Sequence, residues 1–333
     1  MLFRCDAYIQ GVGHYLPEQV LDNAAVIARG GLPFDDRWVQ KRIGVKQRHV
    51  LSPEKSTSDM ALAAARDALR QAQVSPEFLE LIVLSTISPD HPSPATACFI
   101  QHALGNDHCP AFDLSAACSG FIYALDTAAR HVATGARHAL VLSAETRSRF
   151  VNPEDPVTAA IFGDGAGAVV LSSPEAVDVV TLRLRAVDIK ADGSGFYSVF
   201  TPAGGARQPA SEETVQNRQH FIQMHNGEQI FFQVVESMVH YTREFLTALD
   251  LTLDEVDYVL PHQANINILQ EAARQLGLPA EKMLLNLPEV GNLSSASIPV
   301  LLSQRHSQFE PGKNILLVAV GAGHTLGLAW LTT

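Results

Sequence analysis

What this chain of 333 residues has little of narrows its class before any motif is read. It carries four cysteines, Cys5, Cys98, Cys109 and Cys118, and none is spaced as CxxC or CxxxH. A zinc site or a disulfide framework has no support in such spacing, and no metal ligand set is assigned. No apolar run approaches bilayer-spanning length, and the opening Met-Leu-Phe-Arg-Cys-Asp lacks the apolar core of a signal peptide. The expectation is a soluble cytoplasmic protein with reduced thiols and no membrane insertion. Positive charge is scarce: 24 Lys and Arg against 35 Asp and Glu give a net charge of −11. That balance argues against nucleic acid as a partner and leaves an acidic partner to dock on a local basic patch. Hydrophobic residues at 47% and charged residues at 18% fit a compact enzyme rather than a disordered chain. The length is generous for one hydrophobic core and comfortable for two packed halves.

Of what is present, the stretch Asp113-Leu-Ser-Ala-Ala-Cys118-Ser-Gly120 is the most informative. Pro110 to Leu114 reads as a short buried strand. Beyond Cys118, the residues Phe121, Ile122, Leu125, Ala128, Ala129 and Val132 recur at helical spacing until Gly135. A strand feeding a helix leaves first-turn N–H groups pointing at the junction, where a thiolate gains from the helix dipole. A lone cysteine is ordinarily a small core residue. The small neighbours Ala116, Ala117, Ser119 and Gly120 leave space for a substrate to approach.

The chain also repeats itself in order. Leu81–Ser85 and Tyr258–His262 are strands, each followed by a helix (Ala95 to Leu104; Asn265 to Leu276). The Cys118 helix ends at Gly135 before the strand Ala139–Ser143; its counterpart runs from Ser295 to Gly312 before Ile315–Ala319. The paired positions 85/262, 118/295 and 135/312 are each 177 residues apart. Two α/β halves follow, 1–175 with the cysteine and 176–333 with His262 and Asn292, related by a pseudo-two-fold axis in a layered α-β-α-β-α sandwich. Insertions are expected at 145–160 and at 191–227, the second lining a substrate entrance.

Three further segments accompany the cysteine: Pro261-His262-Gln-Ala-Asn265 at a strand end, Gly291-Asn292-Leu-Ser-Ser-Ala-Ser-Ile-Pro299 entering a helix, and the turn Gly321-Ala-Gly-His-Thr-Leu-Gly327. Taken singly, His262 is one of thirteen histidines and Asn292 an ordinary helix cap. Together with Phe162-Gly-Asp-Gly-Ala-Gly-Ala168, and over essentially the whole chain, these segments make the sequence resemble the beta-ketoacyl-acyl-carrier-protein synthase III family of the thiolase superfamily.

The resemblance implies a duplicated thiolase-like fold, a homodimer pairing through Ala95 to Leu104 and Pro110 to Leu114, and a catalytic trio of Cys118, His262 and Asn292. Cys118 would accept an acyl group from acyl-CoA, with backbone N–H groups of Cys118, Ala322 and Gly323 as the oxyanion hole. His262 and Asn292 would steady the enolate from a malonyl-acyl-carrier-protein partner as carbon dioxide leaves. Relatives with an acid at the Asn292 position tend to transfer acyl groups to oxygen or nitrogen instead. No cofactor is implied; coenzyme A thioesters are substrates. By the same resemblance Trp38, Arg42, Gly227 and Asn265 contact coenzyme A, and Ser93 and Phe162 belong to the acyl pocket.

The chain departs from the family's pattern in places. Pro156, Asn267 and Phe232 stand where basic residues are usual, with Arg243, Arg274 and Lys282 as candidate replacements. Ser93 stands where a Phe often reaches across the dimer to close the primer pocket, which implies primers longer or bulkier than acetyl. Ser88-Pro-Asp-His91 also resembles relatives that load alkylquinolone or polyketide starter units, the alternative reading. Subunits that pair with an active synthase after losing the cysteine are a third, non-enzymatic class, set against by the intact trio.

Overall fold

The computed structural model describes residues 2–177 and 182–333. Nine strands form one mixed sheet: Phe3–Tyr15 (β1), Leu81–Ser85 (β2), Ala111–Leu114 (β3), His138–Thr146 (β4), Asp164–Ser172 (β5), Leu182–Ala191 (β6), Tyr258–Pro261 (β7), Asn314–Gly321 (β8) and Thr325–Thr332 (β9). Their order is β7-β8-β9-β6-β1-β5-β4-β2-β3. Seven helices concern the site: Asp36–Arg42 (α1), Thr57–Ala72 (α2), Thr96–Ala103 (α3), Gly120–Ala133 (α4), Gly227–Ala248 (α5), Ile266–Leu276 (α6) and Ser297–Arg305 (α7). Among the described residues no helix is long and apolar enough to cross a membrane.

The duplication is visible in this order. From the β1–β6 joint outward, one half runs β1, β5, β4, β2, β3 and the other β6, β9, β8, β7. The slot matching β3 holds a single parallel bridge, Val259 to Met283, with Leu284 N donating to the Val259 carbonyl at 2.9 Å. Strands β2, β4 and β5 are buried at every position because both sheet faces are covered. Alternate side chains serve different layers. Leu81 and Val83 face the central helices α4 and α7, whereas Ile82 and Leu84 face α2 and α3. In the other half Ile315 and Leu317 point to the centre, and Leu316 and Val318 to α5 and α6. The five α-β-α-β-α layers expected from the duplication are these.

The central helices approach the opposite half closely enough to need glycine beneath them. A Cβ on Gly327 would lie 2.7 Å from the Ile122 Cβ, and one on Gly167 would lie 2.7 Å from the Pro299 Cβ. Ile122 and Pro299 are again 177 residues apart, so the duplicated helices use the same contact point. One expectation shifts: β4 runs on through Thr146, so the first insertion begins at Arg147 rather than at residue 145. Ala144, Glu145 and Thr146 stay in register with Ala166, Gly165 and Asp164.

Candidate active site

The Cys118 loop follows β3. The Asp113 carboxylate accepts from Thr96 N (2.7 Å) and Ala97 N (2.8 Å), tying that strand to the start of α3. Ala117 then takes a left-handed φ of 48°, and Cys118 follows inside a single 3₁₀ turn, Ala117–Ser119, just ahead of α4. Gly120 opens the helix against Ser85, whose Oγ would lie 2.0 Å from any Cβ there. The other half repeats the device. Ser294 takes a φ of 51° in the 3₁₀ turn Ser294–Ala296 before α7.

Cys118, His262 and Asn292 line one cavity of about 600 Å³, together with Ala322 and Gly323. Ser294 knits the group. Its Oγ lies 3.8 Å from Cys118 Sγ, its N–H donates to Asn292 Oδ1 at 2.8 Å, and its carbonyl accepts from Ser297 Oγ at 2.9 Å. Because Oδ1 takes that N–H, the Nδ2 donor of Asn292 is left without a protein acceptor among the described residues. His262 is held by its own N–H to the Val318 carbonyl (2.7 Å) and by Nδ1 against Ser297 Oγ (3.1 Å). Nε2 remains for the cavity.

Burial decides the protonation states. It pushes the Cys118 thiol up to about 11; Glu145 adds to the rise, and the Ser294 contact and Arg147 oppose it. The helix-dipole gain anticipated for this thiol is therefore outweighed by desolvation. Burial likewise lowers His262 to about 4, so the ring is neutral near neutral pH.

The turn after β8 faces Cys118. Gly323 and His324 are both left-handed (φ 74° and 50°). A Cβ on Gly321 would stand 2.9 Å from Cys118 N and 3.0 Å from Ser119 N. Hydroxyls of Ser119 and Thr325, 2.7 Å apart, both reach the Ala116 carbonyl (2.9 and 3.1 Å) and fasten the turn to the Cys118 loop.

The residues expected at the coenzyme A end divide. Trp38, 40% exposed and stacked on Phe34 at 4.4 Å, lines the cavity with Arg42, Pro156 and Gly227. Asn265 lines it too, but its amide is engaged: Oδ1 caps α6 through Asn267 N (2.8 Å) and Nδ2 donates to the Arg42 carbonyl (2.9 Å). Asn267 grips the same carbonyl at 2.8 Å. These two amides anchor α1 rather than offer donors to a ligand. Arg243, Arg274 and Lys282 bind the Gln275 carbonyl, Glu271 and the Val256 carbonyl, and none lines the cavity. Phe232 is exposed. Phe162 lines the cavity, whereas Ser93 is exposed and outside it within the single chain. The 191–227 insertion contributes Gly195, Ser198, Val199, Ile222 and Met224 to the walls.

Four residues given no role in the sequence reading belong to this site: Glu145, Arg147, Ser294 and Ser297. Glu145, fully buried, accepts from Ser88 Oγ (2.6 Å), Ser295 Oγ (2.8 Å) and Ser294 Oγ (3.2 Å). A signal existed for the first two: both charges end an otherwise uninterrupted buried strand, where an ionisable group needs a partner or a purpose.

Known proteins resemble this chain over nearly its whole length. The family model for 3-oxoacyl-[acyl-carrier-protein (ACP)] synthase III matches residues 112–193, and its C-terminal model matches residues 246–333. The chain is 40% identical over 324 residues to the beta-ketoacyl-[acyl-carrier-protein] synthase III of Clostridioides difficile (strain 630), covering 96% of each. It is 40% identical over 317 residues to a 3-oxopimeloyl-[acyl-carrier-protein] synthase of Rhodothermus marinus, covering 95% of this chain and 91% of that one. The crystal structure of 3-oxoacyl-[acyl-carrier-protein] synthase III from Aquifex aeolicus VF5 superimposes with a TM-score of 0.87 at 37% identity, covering 98% of this chain and 100% of that one. The chain belongs to the 3-oxoacyl-[acyl-carrier-protein] synthase III family of thiolase-fold, acyl-transferring condensing enzymes.

Proposed function

We propose that Cys118 takes an acyl group from acyl-CoA and that the acyl-enzyme condenses with malonyl-acyl-carrier protein. The observation that carries this is that the Cys118 thiol, the His262 ring and the Asn292 amide, whose Nδ2 has no protein acceptor among the described residues, line one cavity. In the first step the sulfur attacks the thioester carbonyl, its proton leaves with the coenzyme A thiol, and the acyl group stays on Cys118. N–H groups of Cys118 and of the Ala322–Gly323 turn receive the tetrahedral oxyanion. In the second step the malonyl carboxylate leaves as carbon dioxide, and its electron pair passes to the thioester oxygen as an enolate. His262 Nε2–H and Asn292 Nδ2–H donate to that oxygen. That tautomer leaves Nδ1 without a proton, so the Ser297 hydroxyl turns from the Ser294 carbonyl to donate to Nδ1. The enolate carbon attacks the acyl-Cys118 carbonyl, expels the thiolate, which takes up a proton, and yields a 3-oxoacyl carrier thioester.

Coenzyme A would enter past Trp38, Arg42 and Gly227. A primer longer than acetyl is supported by the apolar side chains of Ile87, Ile161, Phe162, Ile222 and Phe231 that line the cavity. Pairing of two copies through β3 and α3 is part of the same reading. It is supported by the place of β3 at the end of the sheet and by Phe99 on α3, 52% exposed. Light scattering giving a monomer at micromolar concentration would remove that element.

The decisive experiment follows Cys118 by intact mass across a panel of acyl-CoA donors, then adds malonyl-acyl-carrier protein and measures carbon dioxide. Wild type loads and then releases carbon dioxide. His262→Ala and Asn292→Ala load but lose decarboxylation, and Cys118→Ala does neither. Loading without any decarboxylation favours acyl transfer to a hydroxyl or amine and rejects condensation.

A further inference from the structure

We propose that the primer carries a carboxylate at the end remote from its thioester, and that Arg147 holds that carboxylate. The inference deepens the condensing-enzyme reading and rests on Cys118 being the acyl acceptor.

Arg147 opens the 3₁₀ turn Arg147–Phe150 where β4 leaves the sheet. It is 2% exposed and lines the cavity beside Cys118, Ile87 and Phe162. Among the described residues its guanidinium donates no hydrogen bond, and Nε is sealed from solvent without a partner. Its other contacts are aromatic: the guanidinium carbon lies 5.7 Å from the Phe150 ring centre and 5.5 Å from that of Phe162.

The nearby carboxylates are committed elsewhere. Glu145 serves Ser88, Ser294, Ser295 and Ile87 N; Asp164 serves Leu51 N (2.8 Å), Ser148 N (2.8 Å) and Ser148 Oγ (2.6 Å). Neither forms a direct ion pair with Arg147.

The contrast is with Arg48, equally buried at 1% exposure. It donates to Asn23 Oδ1 (2.7 Å), the Ala160 carbonyl (2.9 Å) and the Leu21 carbonyl (3.2 Å). The two terminal nitrogens of Arg48 are satisfied, although its Nε, like that of Arg147, is sealed without a partner. Arg147 lines the cavity with no acceptor on its donor fork, its charge balanced only at a distance by Glu145 and Asp164. Buried guanidinium donors without acceptors are costly unless a ligand completes them, and a planar guanidinium fork matches a carboxylate bidentately.

The malonyl carboxylate is the poorer candidate for that fork. An ion pair to a group that must depart as neutral carbon dioxide stabilises the ground state and is lost on the way to the transition state, which slows the step. A primer's distal carboxylate is unchanged by the reaction, so gripping it costs the chemistry nothing and sets chain length and register. The substrate class is therefore a short dicarboxylic acyl thioester, and the product a 3-oxo dicarboxylic acyl chain on carrier protein.

The test compares Cys118 loading, by intact-mass time course, from succinyl-, glutaryl- and adipyl-CoA with loading from butyryl-, pentanoyl- and hexanoyl-CoA. A site built to pair a polar group rejects the analogue lacking it strongly. Wild type is expected to favour the best dicarboxylic donor over its length-matched partner by at least about 100-fold. Arg147→Leu should abolish or reverse that preference, and Arg147→Lys should keep part of it. The wild-type comparison alone keeps the test valid should a variant fold poorly. Equal or faster loading of the monocarboxylic series by wild type overturns the proposal, as does Arg147→Leu slowing both series alike, the mark of a residue that serves only the thiol. Monocarboxylic loading followed by carbon dioxide release would leave condensation standing and reject only this inference. No loading from either series would reject the condensing reading itself and this inference with it.

Discussion

Ala117 and Ser294, 177 residues apart, are held in the same left-handed conformation (φ 48° and 51°), one directly before the nucleophile and the other at the equivalent place in the second half. A left-handed non-glycine residue costs about 1–2 kcal/mol, and both open the 3₁₀ turn that leads into a central helix. Ala117→Gly should therefore leave stability within about 1 kcal/mol of wild type, relief of strain offsetting the freedom glycine gives the unfolded chain. Ala117→Val should lose roughly 2 kcal/mol or more, because a β-branched side chain fits that region worst. Denaturant midpoints check both, and equal stability of the two variants would contradict the account.

Acylation should follow the Cys118 thiol. With the thiol raised to about 11, loading at subsaturating acyl-CoA is expected to climb roughly tenfold per pH unit between about 7 and 10. A plateau already reached at pH 7 would mean that substrate binding or another group supplies the thiolate.

His262 links stability to acid. Its folded value lies near 4, below the ordinary 6.5, so its contribution is present above 6.5 and is lost as pH falls through about 4. The shift corresponds to an order of 3 kcal/mol, lost across that window. Urea midpoints of wild type and His262→Gln should converge as pH falls from 7 to 4. Parallel curves would place the acid sensitivity in other groups.

Gly321→Ala should damage loading more than folding. Its Cβ would meet Cys118 N and Ser119 N, backbone atoms that cannot swing aside. Displacing one oxyanion donor costs about 3 kcal/mol in the barrier, a fall of roughly 100-fold in the loading rate. Unchanged loading would remove that turn from the oxyanion hole.

Asn265→Ala should act through stability. It removes a helix cap and the tether to the Arg42 carbonyl, a loss of about 1–2 kcal/mol in the melting equilibrium. Coenzyme A affinity, by calorimetry, should change less than it does in Trp38→Ala.

Much of this was legible without coordinates, for identifiable reasons. Leu81–Ser85 and Ile315–Ala319 read as doubly covered strands because sheets buried on both faces need continuous apolar runs. The 177-residue repeat carried the layering. Cys118, His262 and Asn292 stood out because each closes a strand or opens a helix, and those ends are reached by counting. Asn265 was legible as a residue but not in its employment, since whether an amide faces a ligand or the Arg42 carbonyl depends on what packs beside it.

The amino-acid order alone determined a twofold α/β chain with a thiol, an imidazole and a carboxamide at matched strand ends, because periodicity and turn residues are local properties. Which charges are buried, and which of those are answered, was decided only in three dimensions. Arg48, inside the short strand Gln47–Val50, and Arg147, just past the end of β4, are the same side chain, yet one meets acceptors and the other aromatic rings and open cavity. Desolvation and hydrogen bonding depend on neighbours brought from distant parts of the chain, and those neighbours exist only once the two halves have closed on each other.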